Sequence, residues 1–337
     1  MTVQQNISLK NLNTFGIEAT AKLLATIHSE GELSGLIREK KLAGEPKLIL
    51  GGGSNILLKG DYNGLVILNR LDGIGKAGEN EQDIFIKASA GVVWHDLVLY
   101  AIENNLGGIE NLSLIPGCVG ASPIQNIGAY GVELKDVFHE LEAMDLQSGE
   151  KRTFSLSECE FGYRLSVFKN KFKNRYVITS VTLRLSRTHK LNTTYGAIEQ
   201  ELQRMGITTP DIRTVSQAVI SIRSSKLPDP AKIGNAGSFF KNPEVQFDVY
   251  QKLKENFPDL VAYPAKDKMK LAAGWLIEQC GWKGKVSGHV GMHQSQALVL
   301  VNYGGATGAE LHGHALRVQQ SVREKFGVEL EMEVNIV

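Results

Sequence analysis

The chain has 337 residues, 42% of them hydrophobic and 22% charged, with a formal net charge of +1. That composition supports a sizeable core and two or three globular domains, and it leaves no basic surplus of the kind that nucleic-acid or membrane-surface binding needs. No apolar run approaches the roughly 18 residues of a membrane span, the opening MTVQQNISLKNLNTFGIEA lacks the basic-then-apolar order of a signal peptide, and Cys118, Cys159 and Cys280 are too far apart for a disulfide framework or a Cys-x-x-Cys metal site, which fits a reduced, cytoplasmic compartment.

In chain order, Leu23, Leu33 and Leu36 allow helix around a turn at Glu30-Gly31. Residues 47–50 form a short apolar strand that breaks into GGGSN, and 64–69 form a second. The first 70 residues therefore read as a small βαβ-type unit. Ile84 and Ile86 alternate with polar residues, as in a strand. Residues 92–108 carry Leu97, Tyr100 and Ala101 at helical spacing, with a glycine stop. Residues 139–156 read as a hairpin about Ser148-Gly149, and 175–186 alternate over a long strand. Residues 211–228 read as a helix ending before Pro228. In 269–282, Met269, Ala272, Ala273, Leu276, Ile277 and Cys280 predict a helix stopped by Gly281. Residues 297–302 are a buried strand. Thr307 and Glu310 form a capping box, opening a helix that points Leu311, Ala315, Val318, Val322 and Phe326 inward, with Gly327 past its end. Residues 329–337 read as a closing strand. No fixed-period repeat occurs.

Several motifs fail on inspection. Gly51 and Gly53 begin a dinucleotide fingerprint, but Ile56 replaces its third glycine. GWKGKVSG has Val286 where a Walker loop needs Ser or Thr. HVGMH pairs His289 with His293 but supplies no Glu in the zinc-protease position, so no metal is expected. The G-x-S-x-G elbow is missing.

Three glycine clusters survive. GGGSN follows a strand directly; such a loop exposes backbone N–H groups to an anion, with Ser54 and Asn55 as further donors, although a tight turn explains it equally well. IPGCVGASPIQNIGAYGVEL, residues 115–134, lets the main chain approach a diphosphate at Gly117 and Gly120 and again at Gly128 and Gly131. In it Gln125 and Asn126 offer amides to read a flavin edge or to hold the loop. Two such loops without a Rossmann signature suit a dinucleotide lying across a groove. GNAGSFFKNP places Ser238 in a tight turn with no His-Asp partner, so Ser238 reads as a proton donor or as a turn serine, not an acyl nucleophile. Arg164, in GYR, suits a carboxylate clamp; for an isolated arginine a solvated surface pair is the plainer reading. Glu333 sits between apolar neighbours and either points inward towards a partner or lies at an exposed edge.

The order and spacing of NTFGIEA, LGGGSN, the 115–134 stretch, FGYRLSVFK, RSSKLPDP, GNAGSFFKNP, AAGWLIEQCGW, HQSQALVLVN and LEMEV resemble the UDP-N-acetylenolpyruvoylglucosamine reductases (MurB, type I) over nearly the whole chain. The resemblance implies an α+β fold: an FAD-binding domain of the PCMH/vanillyl-alcohol-oxidase type, built from two α+β subdomains, plus a C-terminal α+β substrate domain. The implied division is 1–70 and 71–210 for the two subdomains, with the FAD-binding region at about 17–187 and the type I loop at about 188–210. Residues 211–326 would form the substrate domain, and 327–337 a final strand carrying Glu333.

It also implies non-covalent FAD held by Gly51, Gly52, Gly53, Ser54, Asn55, Gly117, Gly120, Ser122, Gln125, Asn126, Gly128 and Gly131. NADPH would be co-substrate in a two-stage reduction of UDP-N-acetylglucosamine enolpyruvate to UDP-N-acetylmuramate, a peptidoglycan precursor. Hydride would pass from the reduced flavin to the enol ether. By the same resemblance, Arg164 and Glu333 polarise the substrate carboxylate and Ser238 supplies the proton, while Lys226, Asn242 and Gln296 contact substrate and Tyr195 caps it. The expected partners are small molecules, with no nucleic acid and no membrane, and the expected state is a cytoplasmic monomer. Met332 departs from the family, many members of which carry Pro there. Two other readings stay open: an oxidase of the same fold with flavin tethered through His95 or Cys118, and a nucleotide-sugar binder that has lost the chemistry.

Overall fold

The computed structural model describes residues 2–337. The chain forms two compact units and crosses between them repeatedly: of the described residues, those up to 7, with 21–52 and 63–225, make the first, and 8–20, 53–62 and 226–337 the second.

The first unit holds two sheets. Val3–Ser8, Thr20–Ile27, Tyr62–Asn69 and Lys47–Leu50 lie in that order in a four-stranded sheet. Its last two strands are parallel, Lys47 facing Leu65 and Leu50 facing Leu68. Helix α1, Glu30–Arg38, is capped by the Ser29 side chain, which accepts from the Glu32 N–H. It buries Leu33 and Leu36 with Ala25, Ile27, Leu65 and Ile67. Leu23 thus belongs to a strand, not a helix, and Glu30-Gly31 starts α1 rather than turning the chain. The helical spacing of three leucines is a weak signal beside the every-second-residue set Ala21, Leu23, Ala25 and Ile27, of which Ala21, Ala25 and Ile27 are fully buried.

The second sheet orders Lys151–Ser155, Phe138–Asp145, Tyr176–Ser186, Asp83–Ser89 and Ile74–Glu79. Its centre is the long strand whose alternation the sequence shows, pairing antiparallel on both sides. Helix α2, Trp94–Glu103, buries Trp94, Leu97, Val98 and Ala101 against this sheet. Asn105, at φ 57°, ends its turn in the left-handed region ahead of the glycines. Helices α3, Gly196–Arg204, and α4, Ile212–Lys226, pack Ile198 and Leu202 against Ala218, Val219 and Ile222. The stretch 188–210 therefore contains a helix, and α4, up to residue 225, belongs to the first unit.

The second unit has a four-stranded sheet in the order Gly234–Ser238, Val299–Asn302, Val290–Met292 and Val286–Ser287. A three-stranded sheet orders Glu244–Val245, Lys268–Leu271 and Ala262–Ala265. Helix α5, Phe247–Asn256, follows the first strand of that sheet. Helix α6, Ala273–Gln279, is shorter than its sequence pattern, because Met269 lies in a strand. Helix α7, Gly308–Phe326, has the reciprocal Thr307–Glu310 box and ends at Gly327 with φ 65°. Leu311, Ala315, Val318, Val322 and Phe326 are buried; each large one contributes roughly 1.5–3 kcal/mol.

The closing segment is not one strand. Met332 makes an isolated bridge with Phe240, and only Asn335–Ile336 pairs regularly, in parallel with Ile56–Leu57. Among the described residues no helix is long and apolar enough to cross a membrane.

Candidate active site

In the first unit the two glycine loops meet. Gly51 and Gly52 follow the strand Lys47–Leu50. A Cβ on Gly52 would lie 3.2 Å from Gly117 Cα, and Gly117 itself has φ 107°. A side chain at Gly52 would crowd the Gly117 backbone and one at Gly117 would be strained by its positive φ, so the two loops approach closely here, with the Cys118 side chain against Gly51 and Gly52. The second loop is pinned at both ends of its approach. The Trp94 N–H donates to the Gly117 carbonyl at 2.9 Å, and the Val119 N–H to Val92 at 2.8 Å. Gly120 follows in the short turn Val119–Ala121.

Ser122 and Asn126 are wholly engaged by the protein. The Ser122 hydroxyl is buried and donates to the Val119 carbonyl at 2.7 Å. Asn126 is buried at φ 44°. Its Nδ2 donates to Glu133 Oε2 at 3.0 Å and to the Gly162 carbonyl at 3.1 Å, while its Oδ1 accepts from the Lys135 N–H at 3.0 Å. Of the two roles open to Asn126 in the sequence, the structure gives it the holding of the loop. Gln125 beside it is partly exposed.

Gly162 and Leu165 exchange backbone hydrogen bonds across a tight turn that holds Arg164 at φ 52°. A left-handed arginine is strained and is kept only where its surroundings fix it. Its Nη2 donates to the Gly128 carbonyl at 2.7 Å, and Asn126 holds the other end of the same turn. Gly128 and Gly131 belong to the small hairpin of Gly128–Ala129 with Val132–Glu133. Tyr195 precedes α3, is about half exposed, and sets its ring edge-on to Tyr130 at 5.4 Å.

Sequence reasoning passed over Arg223, although it opens the quoted RSSKLP run. Its Nε donates to the Leu114 carbonyl at 3.2 Å, and Tyr130 lies near enough to influence its charge. Burial pulls its pKa below the ordinary arginine value, Tyr130 opposes that, and the nearby positive charge of Arg164 adds to it. Burial likewise raises Tyr130. Two guanidinium groups close together form a setting that favours an anion.

The second unit assembles the other predicted residues. Gly53, at φ 63°, abuts the NTFGIEA segment: a Cβ there would fall 2.0 Å from the Leu12 carbonyl oxygen. Ser54 and Asn55 follow. The Asn55 carbonyl accepts from the Asn335 N–H and side-chain amide at 3.1 and 3.0 Å.

Ser238 ends the strand Gly234–Ser238 after a register shift relative to Val299–Asn302. Asn235 makes that bulge: its Oδ1 accepts from the Gly237 N–H at 2.9 Å, and its Nδ2 donates to Pro228 and Ile233 carbonyls. Bulges re-aim side chains, and Ser238 is exposed. The Glu333 N–H donates to the Phe239 carbonyl at 2.8 Å, which sets Glu333 beside the residue after Ser238. Glu333 thus lies on an irregular segment clasped to Phe239–Lys241, neither inside a strand nor at a free edge.

Asn242 Oδ1 accepts from the Ala273 N–H at 2.9 Å at the start of α6, and Gln296 Oε1 would lie 3.3 Å from a Cβ on Gly274. Both amides therefore gather at one helix end. Lys226 closes α4 and is exposed.

His95 and Cys118 are engaged within the first unit. The Leu114 N–H donates to His95 Nδ1 at 3.0 Å. Cys118 is buried, and that burial raises its pKa. Among the described residues no three His, Cys, Asp or Glu side chains cluster as a metal site.

Two glycine-rich loops that touch just after a strand end suit the diphosphate of a dinucleotide, and the residues present fit FAD. The fold and these loops define a flavoprotein: the FAD binding domain family matches residues 21–155. The UDP-N-acetylenolpyruvoylglucosamine reductase C-terminal domain family matches residues 229–337. The chain is 50% identical to the UDP-N-acetylenolpyruvoylglucosamine reductase of Flavobacterium johnsoniae, covering 100% of both chains. It is 49% identical to that of Pseudomonas aeruginosa, covering 100% of this chain and 99% of that one. The crystal structure of the reductase from Thermus caldophilus matches its fold with a TM-score of 0.69, at 24% identity over 100% of this chain and 99% of that one. The protein belongs to the UDP-N-acetylenolpyruvoylglucosamine reductase family, the FAD-dependent oxidoreductases of peptidoglycan synthesis.

Proposed function

We propose that this protein reduces UDP-N-acetylglucosamine enolpyruvate to UDP-N-acetylmuramate, with NADPH as reductant, as a monomer in the cytoplasm. Bound FAD would supply the hydride for this reduction. Gly51, Gly52, Gly53, Ser54 and Asn55, with Gly117, Gly120, Gly128 and Gly131, hold the cofactor through their backbone. Ser122, Gln125 and Asn126 of the second loop also contact it, and Ser122 and Asn126 keep that loop in shape.

The observation that carries the reading is the strained, doubly supported turn of Arg164. An enol ether accepts hydride poorly unless the negative charge that grows beside its carboxylate is stabilised. A guanidinium fixed before the substrate arrives does this without reorganising in the transition state. Arg164 binds the carboxylate, and Glu333 hydrogen-bonds to it. Ser238, aimed outward by its bulge, gives its hydroxyl proton to the adjacent carbon. Lys226, Asn242 and Gln296 bind the nucleotide-sugar portion, and Tyr195 covers it. Engagement of His95 and Cys118 within the protein supports FAD that is not covalently tethered.

The test is the mass of the product. Incubation with NADPH and the enolpyruvyl nucleotide sugar should yield a nucleotide sugar heavier by two hydrogens as NADPH is consumed. Recovery of unaltered nucleotide sugar would overturn the assignment.

A further inference from the structure

We infer that Asn111 is a positioning residue for the substrate-capping Tyr195, an inference that rests on the reductase reading above. Asn111 lies in the turn Glu110–Leu112 and is only 1% exposed. Its Nδ2 donates to the Tyr130 carbonyl at 2.9 Å and to the Asn192 carbonyl at 2.8 Å. Both neighbours are acceptors, so the amide can face them only through its nitrogen. One side chain thus ties the hairpin of the second glycine loop to the segment that leads into α3.

Asn192 closes the clasp from the other side, its Nδ2 donating to the Gly131 carbonyl at 3.0 Å and its Oδ1 accepting from Thr194 at 3.0 Å. Tyr195 follows at once, its ring edge-on to Tyr130. The Asn111 Oδ1 has no hydrogen-bond partner among the described residues and is buried. An apolar side chain here would abandon two carbonyls, and an aspartate would present them with oxygen.

The capping segment therefore carries a fixed point at residue 192, and Asn111 acts on substrate only through Tyr195. Two variants test this: Asn111→Ser, which shortens the reach, and Asn192→Ala, a milder surface change that serves if the first fails to fold. Without substrate, trypsin cleavage after the exposed Lys190 should accelerate about tenfold in Asn111→Ser, and less in Asn192→Ala, as the clasp loosens. In turnover, KM for the enolpyruvyl nucleotide sugar should rise about tenfold while flavin reduction by NADPH changes less than about twofold. In a Tyr195→Ala background, Asn111→Ser should add no further rise, because both changes remove one function.

Unchanged cleavage in both variants overturns the clasp, whatever the reaction proves to be. A rise in KM that multiplies in full on top of Tyr195→Ala overturns action through Tyr195. Failure of the reductase reading would leave the cleavage result standing, so the two are distinguishable.

Discussion

The two units present the side chains proposed to react by different means. In the first, Arg164 is held at φ 52° in a turn whose Gly162 carbonyl accepts from Asn126, while its own Nη2 donates to the Gly128 carbonyl. In the second, Ser238 follows a bulge shaped by Asn235, and Glu333 sits on a segment clasped to Phe239–Lys241. In both cases a buried asparagine does the shaping, with donors and acceptor all used inside the protein. A rigid cation suits charge that must be met by a preorganised group, whereas a hydroxyl that gives up a proton needs access. The difference lies between preorganisation and exposure.

The comparison breaks most visibly in transfer to the enol ether. Ser238→Ala should slow that step by about 10² to 10⁴ while NADPH still bleaches the flavin at its normal rate; full turnover would remove Ser238 from the chemistry. Arg164→Ala should cost about 10² to 10³ in the same step. Single-turnover reoxidation by the nucleotide sugar reads both effects, and an Arg164 variant that reoxidises normally would leave its strained turn without a purpose.

Next in size is Gly53→Ala. The Leu12 carbonyl lies in the way and the backbone is left-handed, so the loss should exceed about 3 kcal/mol. Gly44→Ala, with nothing within 4 Å, should stay within about 0.5 kcal/mol of the parent. Denaturant midpoints compare them, and equal midpoints would contradict the close approach.

A smaller effect concerns His314, fully buried beneath Trp282 at 5.0 Å. Burial, with Arg317 and Lys285 adding to it, pushes its pKa down to about 4. The unfolded chain takes up that proton near pH 6.5, so the folded state loses stability as pH falls from about 6.5 to 4, by roughly 3 kcal/mol at most. Above that window the ring is neutral in both states and the pH-dependent penalty vanishes. His314→Phe should flatten the pH dependence of the melting temperature; an unchanged slope would contradict it.

Legibility followed the range of the interactions. Helix α7 was readable almost residue by residue, because a capping box, an apolar stripe and a stop glycine are all local. The strand Tyr176–Ser186 declared itself by alternation. Thr20–Ile27 did not, since a few leucines satisfy helix and strand spacings alike, and 329–337 looked like a strand because nothing local marks an irregular clasp. The excursions of 8–20 and 53–62 into the second unit have no signature in composition. At the site, the glycine loops, Arg164 and Ser238 stood out as motifs, and resemblance gave them roles. Arg223 and Asn111 did not, because their partners lie far away in sequence: the Leu114 carbonyl for Arg223, the Tyr130 and Asn192 carbonyls for Asn111.

The most direct test of the central claim is the visible spectrum of the purified protein under anaerobic conditions, with NADPH added first and the enolpyruvyl nucleotide sugar second. The account predicts a yellow protein that bleaches with NADPH and recolours with the nucleotide sugar. A protein that bleaches and stays bleached would contradict the substrate assignment, and a colourless protein that takes up no added FAD would contradict the flavoenzyme itself.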